Sequence, residues 1–223
     1  MPESSEELTA EDLVQDPEVR TYIEKADTLM EQIGYTEHGM RHTKVVSHGA
    51  GSILEGLGAP PRRCELARIA GLLHDVGNFM GRHGHTLSGA IMAFELLSRR
   101  GMAADEVADI CTSIAHHETL DLVPTLDIAA ALVLADKADV HCTRVRAKAD
   151  FDIHDRINDA AKSSFLRVVA DARKIDLEIV IDTSKGSVME YFEIFLERMI
   201  MCRTAANHLG CDFGLYINET RLQ

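Results

Sequence analysis

The sequence predicts a mainly α-helical bundle with a small C-terminal strand–helix–strand (α+β) tail, and three observations carry that expectation. Apolar residues recur at helical spacing through the first three quarters of the chain. The ends of these runs carry helix signals, with Asp16-Pro17 at a start and Gly34, Gly58 and Gly101 at stops. Late in the chain the period shortens to two, first in Leu177, Ile179 and Ile181 and again in Phe213, Leu215 and Ile217, the mark of half-exposed strands.

Taken in order, the first helix carries Val19, Tyr22, Ile23, Ala26, Leu29, Met30 and Ile33 and stops at Gly34. A second carries His38, His42, Val45, Val46, Gly49, Ile53 and Leu57, ending at Gly58 ahead of Pro60-Pro61. The third runs from about Arg62 into Leu72-Leu73-His74, and further helices are expected from Thr86 to Arg99, Asp105 to His116 and Asp127 to Asp139. Residues 150–174 also read as helical. Ser187 and Glu190 form a capping-box pair opening a long amphipathic helix through Tyr191, Ile194, Phe195, Met199, Cys202 and Ala206. These elements divide the chain into a helical domain at 1–174 and an α+β appendage at 175–223 whose two strands should pair.

Composition bounds the functions. The chain has 223 residues, 46% hydrophobic and 26% charged, enough for one substantial core with or without a small appendage. A net charge of −13 repels a phosphate backbone, which argues against nucleic-acid binding as the main task. The acidic start MPESSEELTAEDLVQD lacks the pattern of a secretion signal, and no apolar run approaches a membrane span. Five widely spaced cysteines with no C-x-x-C pair read as reduced thiols, so a cytoplasmic protein is expected.

The informative stretch is GLLHDVGNFMGRHGHTLSGA, residues 71–90, which sets His74, Asp75, His83 and His85 close together at the end of an apolar helix. His42, His116, His117 and Asp136 likewise lie in or beside apolar helical segments, where a bundle builds metal sites from inward-facing side chains. A lone histidine on an apolar face is more often a hydrogen-bonded core residue, and His116-His117 at a helix end could simply cap carbonyls. Asp136, beside Leu134 and Ala135, is harder to explain without a cation, since burying an unpaired carboxylate costs on the order of several kcal/mol. The same holds for Asp75. Imidazole and carboxylate donors together suit iron, manganese, zinc or cobalt.

The ordered set His42, His74-Asp75 and Asp136 resembles the H…HD…D signature of the HD-domain superfamily of metal-dependent phosphohydrolases, over roughly residues 34–146. His85 and the His116-His117 pair resemble the two-metal subset. The resemblance implies one or two divalent transition metals. His42, His74, Asp75 and Asp136 would hold the first, and Asp75 would bridge to a second held by His85 with one or both of His116 and His117. His38, one turn before His42, would be a further ligand, a supporting neighbour or only a lining residue. His83 would be a neighbour of the site without a metal.

Such a site supplies hydroxide at neutral pH and polarises a phosphoryl oxygen, so hydrolysis of a small phosphorylated substrate is the leading expectation. Asp75 and Lys137 are expected in the chemistry, with Arg82, Arg144 and Arg146 as substrate contacts because arginine grips phosphate through a planar fork. The competing reading makes Arg144 and Arg146 surface residues paired with Asp150, Asp152 or Asp155. The chain departs from family patterns in two places. Asn78 stands where many two-metal members have a phosphate-binding lysine, and no Gly-Tyr-Pro follows the paired histidines, which argues against cyclic di-GMP. Some members with similar ligands are di-iron oxygenases, and a non-catalytic regulatory module is a third reading. The Met- and Phe-rich long helix (Met189, Phe192, Phe195, Met199, Met201) reads as core, with a homodimer surface as the alternative.

Overall fold

The computed structural model describes residues 7–119, 126–146 and 151–223. A short helix α1 (Ala10–Gln15) leads into α2 (Pro17–Gln32), where the Asp16 carboxylate accepts the backbone N–H groups of Glu18 and Val19 and Pro17 fits the first turn. The two following helices, α3 (Met40–Gly56) and α4 (Pro61–Leu73), pack tightly on each other. Their approach depends on Gly71, where a Cβ would stand 2.7 Å from the backbone of Ser47.

After α4 the chain passes through His74 and Asp75 into a 3₁₀ turn, Val76–Met80, and then into α5 (His85–Arg99), which pairs with α6 (Ala104–His116). Central to the bundle is α7 (Asp127–Ala138), with every residue from Ile128 to Ala135 buried, as a helix apolar all round must be. It contacts α3, α4, α6 and the long tail helix, and it delivers Asp136 and Lys137 at its last turn.

The tail carries two strands more than the expected strand–helix–strand, one at its start and a short one at its end. Residues 150–174 do not form one helix: α8 (Ile153–Ala160) is short, and β1 (Ala161–Val169) follows it directly. As the edge of its sheet, β1 buries only Ala161, leans Leu166 and Val168 on the core and leaves Phe165 exposed, so it lacks the buried alternation that marks the strands at Lys174–Ile181 and Asp212–Ile217. β1 pairs antiparallel with β2 (Lys174–Ile181). The long helix α9 (Val188–His208), opened by the Ser187–Glu190 capping box, crosses to β3 (Asp212–Ile217). β3 runs parallel to β2, with Leu177 opposite Leu215 and Ile179 opposite Ile217, and β4 (Thr220–Arg221) closes the order β1-β2-β3-β4.

The β1–β2 hairpin straddles residue 174, so the α+β part of the chain begins at Ala161. One hydrophobic core runs from α1 through α7 to β3. Phe195, Met199 and Met201 on α9 are buried in it, whereas Met189 is exposed. The five cysteines are free thiols, and no described helix is long and apolar enough to cross a membrane.

Candidate metal centre

Four histidines meet at the junction of α3, α4, α5 and α6, each held by its Nδ1. His42 Nδ1 lies 2.7 Å from Asp139 Oδ2, and His74 Nδ1–H donates to the Gly71 carbonyl at 2.8 Å. His85 and His117 donate in the same way to the carbonyls of Arg82, at 3.0 Å, and Ile114, at 2.7 Å. With Nδ1 so held, each Nε2 points inward, where a metal could take the place of its proton.

Those inward nitrogens face carboxylates. Asp75 Oδ2 lies 3.7 Å from His42 Nε2 and 3.4 Å from His74 Nε2, and Asp136 Oδ1 lies 3.5 Å and 3.7 Å from the same two atoms. The other Asp75 oxygen, Oδ1, is 3.3 Å from His85 Nε2, which in turn is 3.6 Å from Glu118 Oε2. Asp75 thus turns one oxygen to each half of the cluster. Donor groups able to share an ion are His42, His74 and Asp136; His74, Asp75 and His117; and His85, His117 and Glu118.

The donors fit a pair of cations. Nε2 of His42, His74 and His117 is buried without a hydrogen-bond partner among the described residues, an arrangement costly for a polar atom unless something binds it. Burial alone would lower the pKa of His74, but Asp75 and Asp136 outweigh it and raise it to about 10. At His117 burial acts with the neighbouring His74 and Lys137, and its pKa falls to about 3. Burial opposes ionisation of Asp75, Asp136 and Glu118, yet the surrounding cations win. Asp75 and Asp136 are held well below the usual carboxylate range, and Glu118 is held at about 2 by Lys137 and Arg82.

The remaining expected residues divide clearly. Lys137 is buried with Nζ 2.5 Å from Asp136 Oδ2 and 3.6 Å from Glu118 Oε1. Arg82 reaches Asp75 Oδ1 at 3.6 Å and pairs with Glu118. Both line a cavity of about 330 Å³ that opens onto Asp75 and Asp136, with His38 also in its wall. His38 belongs to none of the donor groups; its Nδ1–H donates to the Thr36 carbonyl.

His116 is exposed at the end of α6 and joins no donor group, so of the adjacent pair it is His117 that faces the cluster. His83 is likewise exposed and outside these groups. Arg144 lines the cavity, but its guanidinium donates to the carbonyls of Glu37 and Asp139, where it ties the chain after α7 to the start of α3. Arg146 points to α2, pairing with Asp27 and donating to the Tyr35 carbonyl at 3.1 Å, and does not line the cavity. Both arginines thus hold parts of the chain together, and of the two only Arg144 reaches the cavity wall. Asp150, one of the expected partners of these arginines, lies outside the described residues.

Sequence reasoning missed Asp139, which supports His42 and is itself held by Arg41 at 2.7 Å, and Glu118, a donor in the second half of the cluster. The signals were present as the second acid of DKAD and the acid following His116-His117.

Comparison with known proteins bears on this cluster. The HD domain family profile matches residues 39–172, more than half of the chain. An uncharacterized protein of Methanocaldococcus jannaschii is 23% identical over 216 residues, covering 85% of this chain and 82% of the relative. A crystal structure described as a predicted HD superfamily hydrolase, from an uncultured Thermotogales bacterium, is 25% identical with a TM-score of 0.45. The match covers 60% of this chain and 75% of that one.

Proposed function

The chain belongs to the HD domain family, and on that premise we propose that it is a metal-dependent phosphohydrolase acting on a small phosphorylated metabolite or nucleotide. The observation that carries the reading is the set of buried, partnerless Nε2 atoms on His42, His74 and His117, aimed at carboxylates and locked from behind by their Nδ1 contacts. His42, His74, Asp75 and Asp136 would hold one divalent ion, and Asp75, His85, His117 and Glu118 a second. Such ions would lower the pKa of a bound water to about 7 and polarise a phosphoryl oxygen.

The chain's own residues supply the rest. Asp75 fixes the spacing of the two halves, because both of its oxygens are engaged and its side chain is buried. Lys137 and Arg82 place positive charge on the cavity side of the carboxylates, where the oxygens of a phosphate ester would enter. The cavity, at about 330 Å³, suits a compact substrate.

The test is elemental analysis of protein purified without added metal and without oxygen, paired with a phosphate-release screen over nucleotides and sugar phosphates. About two metals per chain together with phosphate release is the expected result. Asp75→Ala should lose metal and activity together, and full metal retention in that variant would show the site to be misassigned. Two irons with oxygen uptake and no hydrolysis would replace this reading with a di-iron oxygenase.

A further inference from the structure

The cavity beside the cluster holds a cation that has no ion-pair or hydrogen-bond partner among the described residues. Arg198, on α9, lines the same cavity as Asp75, Asp136, Lys137 and Glu118. The other basic groups there are engaged: Arg82 with Asp75 and Glu118, Lys137 with Asp136 and Glu118, and Arg144 with backbone carbonyls. Arg198 has no ion pair or hydrogen bond among the described residues; its guanidinium carbon sits 4.7 Å from the centroid of the Phe195 ring.

Its position is built, not incidental. Phe195 is 1% exposed and fixed by edge contacts with Tyr191, at 5.0 Å, and with His154 of α8, at 6.4 Å. A ring so held offers the guanidinium a rigid face and leaves its N–H edge free for an acceptor. Burial, with Arg144 and Arg82 nearby, lowers the pKa of Arg198 against the opposing pull of Asp136 and Glu118, so the group feels the charges around the cluster without touching them. A half-buried guanidinium with five donors and no acceptor among the described residues is available to an anion entering the cavity.

We infer that Arg198 is a substrate-binding residue that grips the phosphoryl oxygens of a phosphate ester, so that the C-terminal α+β tail completes the substrate site of the helical domain. This rests on the phosphohydrolase reading and adds a residue outside the His/Asp signature. The fork geometry fits two oxygens of one tetrahedral phosphoryl group.

The experiment is calorimetric titration of inorganic phosphate into cobalt(II)-loaded full-length protein, comparing wild type with Arg198→Ala and Arg198→Gln. The wild type should bind phosphate, and both variants should bind it about 10- to 100-fold more weakly, the range expected for lost hydrogen bonds to a charged group. Cobalt stoichiometry and the visible cobalt spectrum should not change, which a merely structural loss would not leave intact. Should Arg198→Ala fold poorly, Arg198→Gln keeps the stem and decides the matter by the same comparison. Wild-type affinity in the folded variants would overturn the assignment while leaving the phosphohydrolase reading in place. A cobalt-loaded wild type that binds no phosphate would remove both.

Discussion

His42 presents its Nε2 to Asp75 and Asp136 because Asp139 holds the far side of its ring, and Arg41 in turn holds Asp139. A carboxylate behind a ligand histidine fixes the tautomer and raises the basicity of the ring. Asp139→Asn removes the charge and permits the amide to turn its NH₂ toward Nδ1, which would force the proton onto Nε2. Metal affinity should fall about 10- to 100-fold, read by competition with a chromophoric chelator. An unchanged affinity would reduce Asp139 to a latch for Arg41 and Arg144. The candidate donors were legible in the sequence because His74, Asp75 and Asp136 are polar groups set in runs too apolar to tolerate them unpaired. Asp139 was not, since an acid at a helix end looks solvated, and the partner that explains it lies 97 residues away.

The second half of the cluster depends on how closely one element lies on another. At Gly77, in the 3₁₀ turn after Asp75, a Cβ would stand 2.2 Å from the His85 carbonyl oxygen and 2.4 Å from the Gly89 amide nitrogen. Both partners are backbone atoms of α5, so the helix would have to move away, and it carries His85 with it. Gly77→Ala should therefore lower metal content from about two toward one per chain, with the His42–His74–Asp136 half retained, at an overpacking cost of about 1–3 kcal/mol. Two tightly held metals in a folded Gly77→Ala protein would mean that His85 is not needed. Helices with caps and stops, such as α2 and α9, were readable from local signals alone. β1 was not: an edge strand packing on one side shows no clean alternation, and Phe165, Leu166, Val168 and Val169 fit a helical spacing equally well.

At the scale of the whole molecule, the cluster joins elements that lie far apart in the chain. α3 brings His42, the end of α4 brings His74 and Asp75, α5 brings His85, the end of α6 brings His117 and α7 brings Asp136. A ligand bound by all of them binds only the folded chain, so its binding free energy adds to folding stability. At a free metal concentration one hundred times its Kd the gain is about 2.7 kcal/mol per site. For a chain of this size that raises Tm by roughly 5–10 °C, at about 2–4 °C per kcal/mol. The rise should disappear on adding a chelator and in Asp75→Ala, which lacks the shared carboxylate, and should persist in Arg198→Ala, which touches no donor group. Equal melting with and without metal in the wild type would show that these side chains do not act as one site, whatever their spacing. A rise kept by Asp75→Ala would place the stabilising ion elsewhere on the surface. Only the double condition, lost with Asp75 and kept without Arg198, separates the group that holds the metal from the group that meets the substrate.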